Sequence, residues 1–308
     1  MRIVFMGTPE FAKGVLQKLI ENKKNIIMVV TQPDKKVGRK KTIAFSPVKE
    51  LAIKYSIPCF QPRKVKDEIA EILVLRPDLI ITAAYGQMLP KELLDQVMVL
   101  NVHGSILPKY RGGAPIQHAL INGEKEVGVT IMKTALKMDS GPIIKIGRLK
   151  VLEEDDYGSL SIKLSELGAN LLIDALEKPI IEIKQDESEA TYAPILTFED
   201  EVIDFSQTTN RIINRLKALL PTPGGSFYHK STWFKIYKIK KSDIITHEEV
   251  PLGTIISLDK QLIIKTKDGT INILEIQQAG KKRMHIKDFL NGQNVFKENE
   301  RIEGKKIR

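Results

Sequence analysis

The chain has 308 residues, a formal net charge of +10 and 42% hydrophobic residues, so it is long enough for two domains and apolar enough to bury substantial cores. A single cysteine, Cys59, excludes an internal disulfide and a cysteine-cluster metal site, and the five histidines lack metal-ligand spacing. The apolar run from Ile3 to Met6 is too short for a signal peptide, and no run reaches membrane-spanning length. We therefore expect a cytoplasmic protein with no metal and no membrane partner.

The first two thirds of the chain alternate strand and helix signals. Arg2–Gly7 and Ile26–Thr31 are apolar runs typical of buried strands, and Thr8, Pro9 and Glu10 between them have the order of a helix start. A strand, a helix and a strand in succession imply a parallel sheet. The G-x-G-x-x-G motif of dinucleotide-binding loops does not follow the first strand. The alternation continues with predicted strands at 78–84, 97–102, 127–133, 142–151 and 180–184, and with predicted helices at 47–55, 67–75, 115–121 and 156–177.

A basic loop lies between Pro33 and Pro47, after the second predicted strand. Most basic surface segments are only solvated, but this one leaves the carboxyl end of a strand, where open α/β sheets bind their ligands. Several like charges beside such a crevice are favourable where an anion binds. The charges also repel one another around Gly38, so we expect the free loop to be mobile. The candidate anion-binding residues of the loop are Lys35, Lys36, Arg39, Lys40 and Lys41.

The strand predicted at 97–102 ends in polar and turn-forming residues that include Asn101 and His103. Residues two apart on a strand point to the same side of the sheet. An asparagine amide can donate a hydrogen bond, and a histidine can donate or transfer a proton near neutral pH. Such a pair is suited to acyl transfer, in which an oxyanion develops and a proton moves. An isolated Asn-x-His is equally compatible with a strand-end turn in which both side chains have only structural roles.

The last third of the chain differs from the rest in charge and in pattern. Residues 205–308 contain 20 Lys and Arg against 10 Asp and Glu, whereas the first 204 residues contain 28 of each. A strongly basic domain next to a neutral one indicates a polyanionic partner. A polar linker and a helix ending before Pro221 precede short alternating segments, with a hairpin signal at Asp268-Gly269. The strands predicted at 226–234, 234–240, 253–257, 261–266 and 270–277 are typical of a small OB-like barrel.

Longer stretches around these features resemble the formyltransferases that use 10-formyltetrahydrofolate, and among them the methionyl-tRNA formyltransferases. The resemblance covers essentially the whole chain. One departure is Thr222, where these enzymes often have an aromatic residue, and it leaves the detail of the interdomain packing open. The stretches that carry the resemblance are Phe5–Ala12, Ala84–Pro90, Asn101–Pro108, Tyr110–Gln117, Gly128–Met132, Met138–Gly141 and Gly280–Met284.

The resemblance implies a set of site residues. Asn101, His103 and Asp139 correspond to the catalytic residues of the family, with Asp139 orienting His103 and favouring its cationic form. The basic loop corresponds to the segment that contacts the acceptor end of initiator tRNA, with Arg39 entering the acceptor stem. The implied lining of the folate pocket is Ser105, Ile106, Leu107 and Pro108. Further candidate contacts to the nucleic acid are Lys281, Lys282 and Arg283 in the C-terminal signature of the family.

We therefore expect an α/β protein with a Rossmann-like, mostly parallel sheet and helices on both faces, followed by a small OB-like β-barrel domain. The expected boundaries are 1–190 for the catalytic domain, 191–209 for the linker and 210–308 for the basic tRNA-binding domain. The expected reaction transfers the formyl group of 10-formyltetrahydrofolate, a co-substrate, to the α-amino group of methionine on initiator tRNA. We expect the enzyme to act as a monomer that binds a tetrahydrofolate derivative and initiator methionyl-tRNA.

Several other functions remain compatible with parts of the pattern. A formyltransferase acting on glycinamide ribonucleotide or on an amino sugar shares the catalytic stretches. The glycinamide-ribonucleotide type does not need a basic second domain, and the amino-sugar type does not need a cationic loop. A formyltetrahydrofolate hydrolase would use water as its acceptor. A nucleophilic Ser105 with His103 as base lacks the G-x-S-x-G context. A non-catalytic RNA-binding relative would keep the charge but would tolerate loss of Asn101, His103 or Asp139.

Overall fold

The computed structural model describes residues 1–37, 42–292 and 295–304, and the chain divides into two compact units. The first unit comprises 1–116, 125–152 and 159–195, and the second comprises 117–124, 153–158 and 196–308. The predicted limits of the linker, 191 and 209, stay a prediction. Among the described residues, no helix is both long and apolar enough to cross a lipid bilayer.

Among the described residues, nine strands belong to the first unit. In chain order they are β1 (Arg2–Gly7), β2 (Asn25–Val30), β3 (Lys35–Val37), β4 (Thr42–Ala44), β5 (Cys59–Phe60), β6 (Leu79–Ala83), β7 (Met98–His103), β8 (Glu126–Lys133) and β9 (Ile143–Lys150). Seven of them form one sheet in the order β5-β2-β1-β6-β7-β8-β9, and β3 pairs only with β4. The pairs from β5 to β7 are parallel, whereas β8 and β9 run antiparallel to their neighbours. The prediction of a mostly parallel sheet is confirmed.

Within the described ranges, six α-helices alternate with these strands along the chain. They are α1 (Glu10–Glu21), α2 (Pro47–Lys54), α3 (Ala70–Leu73), α4 (Lys91–Leu94), α5 (Pro115–Asn122) and α6 (Tyr157–Leu176), with 3-10 turns at Val65–Asp67 and Glu187–Glu189. All five residues of β6 are buried. Because successive strand residues point to opposite faces, both faces of the sheet are covered at this strand. The helix predicted at 67–75 is wrong in length, since the structure has only a 3-10 turn and one turn of α-helix there.

Two predicted helix starts have different outcomes. The helix predicted at 47–55 begins at Pro47 in the structure. Ser46 is its N-cap, and the Ser46 side chain accepts a hydrogen bond from the backbone N–H of Lys49. The prediction that Thr8 starts α1 is wrong, because Pro9 occupies the N-cap position without a side-chain cap. The Thr8 hydroxyl instead donates to the carbonyl oxygen of Tyr85, 3.3 Å away. It thereby joins the loops that follow β1 and β6 at the carboxyl edge of the sheet.

The strand order reverses between β1 and β6. From β1 the chain adds β2 and β5 on one side, and it then returns to add β6, β7, β8 and β9 on the other. In open α/β sheets, ligands bind in the crevice beyond the carboxyl ends of the strands at such a reversal. Because β7 pairs with β6, its carboxyl end at His103 lies beside this crevice. The fold therefore puts the predicted Asn101 and His103 at the edge where a ligand site is expected.

The second unit is a separate, mostly β structure. It contains α7 (Phe198–Glu201), α8 (Thr209–Leu219), β10 (Gly225–His229), β11 (Thr232–Ser242), β12 (Ile255–Ser257), β13 (Leu262–Thr266), β14 (Gly269–Gln278), β15 (Met284–His285) and α9 (Ile286–Gly292). The strands pair antiparallel in the order β10-β11-β14-β13-β12, and β15 adds to β14. Its core is an apolar cluster that includes the stacked rings of Phe227 and Phe234.

The segment at residues 299–304 contacts both edges of this second sheet through backbone hydrogen bonds. The N–H of Ile255, in β12, donates to the carbonyl oxygen of Glu300 over 2.9 Å, and the N–H of Tyr228, in β10, donates to that of Gly304 over 2.7 Å. The named strands themselves form an open antiparallel sheet. The prediction of a separate β domain after the Rossmann-like sheet is confirmed, while the strand pairing by itself does not close a barrel.

Candidate active site

Asn101 lies near the carboxyl end of β7, in register with Thr82 of β6. The Thr82 hydroxyl donates to Asn101 Oδ1 over 2.9 Å. The Asp139 carboxylate on the other side of the amide can only accept, and it therefore assigns the amide atom that faces it as nitrogen. The amide nitrogen is then directed at Asp139, with Nδ2 3.4 Å from Oδ1. Packing of β7 on β6 therefore orients the Asn101 amide before any ligand binds.

His103 is the next residue on the same face of β7, and its side chain is only 6% exposed. Its Nε2 lies 3.0 Å from the carbonyl oxygen of Tyr110. A carbonyl oxygen can only accept, so Nε2 carries a proton in this contact. Its Nδ1 lies 3.6 Å from Oδ2 of Asp139. Both ring nitrogens of His103 thus face oxygen acceptors.

The Asp139 carboxylate connects the other two side chains. Its Oδ1 accepts from Asn101, and its Oδ2 faces His103 and accepts from the backbone N–H of Gly112 over 2.8 Å. Its side chain is 15% exposed, so the carboxylate is largely shielded from solvent. The structure therefore brings together the three side chains that the resemblance singled out, from a strand end and a turn 36 residues further along the chain.

Three loops at this edge of the sheet have a residue in the left-handed backbone region. The φ angles are +45° at Ala84, +60° at Tyr110 and +49° at Asp139. Non-glycine residues there cost about 1–3 kcal/mol each and persist only where the surrounding structure holds them. Such strain is commonly found at functional sites. The loop after β6, the loop that supplies the Tyr110 carbonyl and the Asp139 turn are all held in this way.

An ion pair between a buried arginine and a half-exposed glutamate lies behind the site and was not anticipated from the sequence. The guanidinium of Arg111 is fully buried and donates to Glu187 Oε1 over 2.7 Å and to Gln185 Oε1 over 2.8 Å. The hydrogen bonds from Arg111 and then from Lys137 lower the pKa of Glu187 to about 2. The contacts that need the Glu187 carboxylate are therefore present at ordinary pH and are lost only as the pH falls below about 4.5 towards 2. Arg111 lies in the stretch Tyr110–Gln117 that carries the resemblance, but the sequence alone does not show whether an arginine is buried or exposed.

The four residues expected to line the folate pocket lie on one loop but differ in exposure. Ser105 and Leu107 are buried. The Ser105 hydroxyl donates to the carbonyl oxygen of Lys109 over 2.6 Å, and Leu107 packs in a small apolar cluster. Ile106 and Pro108 are partly exposed. Only the latter two have side-chain surface to offer a ligand, whereas the first two fix the loop.

The basic loop is in part a β-hairpin. The structure pairs β3 with β4, where the sequence predicted an irregular loop. Lys35 and Lys36 lie on β3, and Arg39, Lys40 and Lys41 lie outside the described residues. At the base of the hairpin, Asp34 contacts Lys49 over 2.6 Å, and hydrogen bonds from Lys49 and Gln61 lower the pKa of Asp34. The hairpin therefore starts from a fixed point next to α2.

The remaining predicted cations belong to the second unit. Lys281 and Lys282 are exposed. The Arg283 side chain donates from Nε to Glu275 Oε2 over 2.6 Å, and its guanidinium lies 4.4 Å from the centre of the Tyr237 ring. Its charge is therefore partly compensated within the unit, in contrast to the two lysines. No group of three His, Cys, Asp or Glu side chains that could hold a metal occurs within the described part of the chain.

Comparison with known proteins gives matches over both units. A family model described as formyl transferase matches residues 1–176, and one described as formyl transferase, C-terminal domain, matches residues 195–294. The methionyl-tRNA formyltransferase of Lactobacillus johnsonii is 45% identical over 300 residues, which are 94% of this chain and 95% of that protein. That of Dictyoglomus thermophilum is 43% identical over 303 residues, covering 95% and 97% of the two chains.

Solved structures share the fold at lower identity. The crystal structure of HypX from Aquifex aeolicus in complex with tetrahydrofolic acid has a TM-score of 0.64 at 18% identity and covers 94% of this chain. This chain spans about half of HypX, 47% of its length. The methionyl-tRNA formyltransferase from Clostridium thermocellum has a TM-score of 0.59 at 18% identity, covering 79% of this chain and 94% of that one. From the two family matches and the relatives at 43–45% identity, the chain belongs to the methionyl-tRNA formyltransferase family.

Proposed function

We propose that this protein transfers the formyl group of 10-formyltetrahydrofolate to the α-amino group of methionine on initiator tRNA. The observation that carries the proposal is the cluster of Asn101, His103 and Asp139 at the carboxyl edge of the sheet, in a member of this family. HypX, which shares the fold, binds tetrahydrofolic acid in its crystal structure. We infer a cytoplasmic location from the proposed substrate, and the expectation of a monomer stays a prediction.

Asn101 would stabilise the negative charge that develops on the formyl oxygen. In the proposed reaction, the neutral amine of methionine attacks the formyl carbon, and the carbonyl oxygen becomes an oxyanion. The Asn101 amide nitrogen has two hydrogens, and Asp139 accepts one of them. The second can be donated to the oxyanion. Because Thr82 already orients the amide, this stabilisation requires little reorganisation in the transition state.

His103 would provide the second donor. In the free protein its Nε2–H is directed at the carbonyl oxygen of Tyr110. We infer that this carbonyl keeps the proton in place until the oxygen of the substrate replaces it. A doubly protonated imidazole would also donate from Nδ1 to Asp139, which faces it at 3.6 Å. The His103 ring would then carry a positive charge next to the oxyanion.

Proton balance requires a transfer from the attacking amine to the leaving nitrogen. As the new N–C bond forms, the amine loses a proton, and as the old N–C bond breaks, N10 of tetrahydrofolate gains one. The Asp139–His103 pair is the titratable group closest to Asn101. We propose that this pair relays the proton, through a water molecule where the distance requires it.

The two substrates would bind to different parts of the molecule. The partly exposed Ile106 and Pro108 are the expected contacts for the formyl donor, a substrate that supplies the one-carbon group. The basic hairpin and residues 205–308, whose net charge is +10, are the expected contacts for tRNA. A small amino-sugar acceptor or water would leave most of this charge without a partner.

The reaction can be tested directly with four parallel incubations. Purified protein and 10-formyltetrahydrofolate are combined with methionyl initiator tRNA, methionyl elongator tRNA, a nucleotide-linked amino sugar, or no acceptor. We expect formyl-methionine to form rapidly only on initiator tRNA. Formylation of the sugar instead, or release of formate without an acceptor as the main reaction, would replace the proposal with one of the alternatives.

A further inference from the structure

Gln185 lies directly behind the Asp139 turn and uses every hydrogen-bonding position of its amide. Its Oε1 accepts from Nε and Nη2 of Arg111, over 3.2 and 2.8 Å. Its Nε2 donates to the carbonyl oxygen of Asp139 over 2.8 Å and to that of Gly141 over 2.7 Å. The residue is 4% exposed. A buried amide with two acceptor and two donor contacts has one defined orientation.

The two donor contacts bracket the strained part of the turn. The backbone of Asp139 has a φ of +49°, in the left-handed region that residues other than glycine adopt at a cost in free energy. Gln185 satisfies the carbonyl oxygen of Asp139 itself and that of the residue two positions later. Without these donors, the carbonyl oxygens of Asp139 and Gly141 would each lose a hydrogen bond to Gln185. The turn could then change its backbone conformation. The direction of the Asp139 carboxylate depends on that backbone conformation.

Arg111 is connected to Asp139 by a second route. Its backbone N–H donates to the carbonyl oxygen of Thr191 over 2.8 Å, and its own carbonyl oxygen accepts from the N–H of Ala193 over 2.7 Å. These contacts fix the loop in which the next residue, Gly112, donates its N–H to Asp139 Oδ2. Arg111 therefore supports the backbone of Asp139 through Gln185 and the carboxylate of Asp139 through Gly112.

We propose that Gln185 and Arg111 are positioning residues that hold the Asp139 carboxylate against Asn101 and His103. Neither side chain has surface for a substrate, since both are buried. They act through Asp139. Glu187 balances the buried guanidinium, with contacts of 2.7 and 3.1 Å, so that the charge can remain behind the site. The effect on turnover rests on the proposed formyl transfer, whereas the effect on the Asp139 turn does not.

The decisive variant is Gln185→Glu, which is almost isosteric. Its carboxylate can still accept from Arg111, but it has no N–H to donate to the two carbonyl oxygens. We expect kcat to fall roughly ten- to hundredfold, because a small displacement of a reacting group costs about that much. The KM for tRNA should stay within about twofold. The pH profile of kcat should change in the same sense as in Asp139→Asn, because both changes weaken the contact of the carboxylate with His103.

A second readout does not depend on turnover. Hydrogen–deuterium exchange of the backbone at residues 137–141 should be faster in Gln185→Glu than in the wild type. Arg111→Lys keeps the charge but cannot make the forked contact with Gln185, so it should also lower kcat and make exchange at 137–141 faster. Lys133→Met is the matched control, since it removes an exposed ion pair with Glu182 at the end of β8 and should change neither readout.

The outcomes separate the two hypotheses. Inactivity of the wild type with every acceptor would defeat the proposed function, and the exchange rates would still decide the positioning role. Wild-type exchange at 137–141 in both Gln185→Glu and Arg111→Lys would overturn the positioning role. It would also be overturned by a loss of activity with an unchanged pH profile, because that pattern indicates general damage. Faster exchange at 137–141, together with a pH profile of kcat that resembles that of Asp139→Asn, would establish the positioning role.

Discussion

At the scale of single residues, the site is a small set of hydrogen bonds whose members act together. We expect Asn101→Ala, His103→Ala and Asp139→Ala each to lower kcat about a hundred- to thousandfold, or about 3–4 kcal/mol, as the loss of one oxyanion donor does. Binding of tRNA should hardly change, because these side chains would contribute to the transition state. Steady-state formylation and a separate tRNA binding titration measure the two quantities. Near wild-type turnover in all three variants would contradict the assignment of Asn101, His103 and Asp139 as catalytic residues.

Two further variants serve as controls for that series. Asp139→Asn keeps the shape of the side chain and removes its charge, so it separates orientation from electrostatics. The double variant His103→Ala with Asp139→Ala should be about as slow as the slower single variant, because residues that act as a unit are not additive. Multiplicative losses would indicate that the two residues act independently, in conflict with the 3.6 Å contact between them.

The sequence was informative about residues whose role follows from strand geometry and not about those whose role follows from burial. Asn101 and His103 lie two apart at a strand end, which predicts a common face. Gln185 and Arg111 are polar residues far apart in sequence, and their burial depends on how the turn at Asp139 packs on the segment near residue 190. Charged and amide residues are usually exposed, so neither residue type indicated a buried position.

At the scale of elements, the strands were predictable and the connections were less so. Apolar runs such as Leu79–Ala83 are buried on both faces and had to be strands. The hairpin of β3 and β4 was not predicted because its strands are only three residues long and β3 has two lysines among its three residues. Thr8 was assigned to a helix cap by local propensity, but a contact with Tyr85, 77 residues away, determines its role. At Thr8, a long-range contact therefore overrides the local preference.

For the basic hairpin, we expect the type of cation to matter as well as the charge. Arg39→Lys should lower formylation of initiator tRNA although the charge is kept, because a planar guanidinium can stack on a base and bridge phosphate oxygens. Lys36→Arg is the matched control and should have a mild effect. Trypsin cleavage after Lys35, Lys36, Arg39, Lys40 or Lys41 should slow when saturating initiator tRNA is added. Equal cleavage with and without tRNA would mean that the hairpin does not contact it.

The stability of the second unit should depend on pH through His229, which lies at the end of β10. Its side chain is buried, stacks on Phe296 with ring centres 5.5 Å apart, and lies 3.4 Å from Glu300. Burial lowers the pKa of His229 from 6.5, which outweighs the opposing effect of Glu300; Lys230 lowers it further, and Glu303 raises it. Below pH 6.5 the unfolded chain binds the proton more readily, so stability is lost as the pH falls from 6.5 towards the lowered pKa.

This linkage can be measured with one fluorophore. Trp233, the only tryptophan, lies in β11 and reports on the second unit alone. Urea unfolding followed by its fluorescence should show a smaller free energy of unfolding at pH 5 than at pH 7.5. In His229→Phe the decrease should be smaller, because the titrating group is gone while an aromatic ring remains beside Phe296. An equal decrease in both proteins would assign the pH dependence to other groups.

At the scale of the whole molecule, the uneven distribution of charge is the property that bears on the substrate. Residues 205–308 account for the entire net charge of +10. A polyanion such as tRNA releases counterions when cations neutralise its phosphates, so binding weakens steeply with salt. Residues 1–204 are neutral overall, with 28 Lys and Arg against 28 Asp and Glu, and they include the candidate catalytic cluster. Chemistry and general attraction for the nucleic acid are thus assigned to different parts of the chain.

The salt dependence of tRNA binding by the full-length protein tests whether the basic C-terminal part of the chain contacts the phosphates. Lys281 and Lys282 are exposed, whereas Arg283 is paired with Glu275, so the two lysines are the better candidates for phosphate contacts. Changing both to Glu should reduce the slope of log K against log salt by about 2, since each lost phosphate contact reduces it by about 1. The matched control changes the exposed Lys23 and Lys54 of the first unit to Glu, with the same change in net charge and little expected change in slope. Equal slopes for the two double variants would mean that net charge alone governs binding and that these two lysines make no phosphate contact.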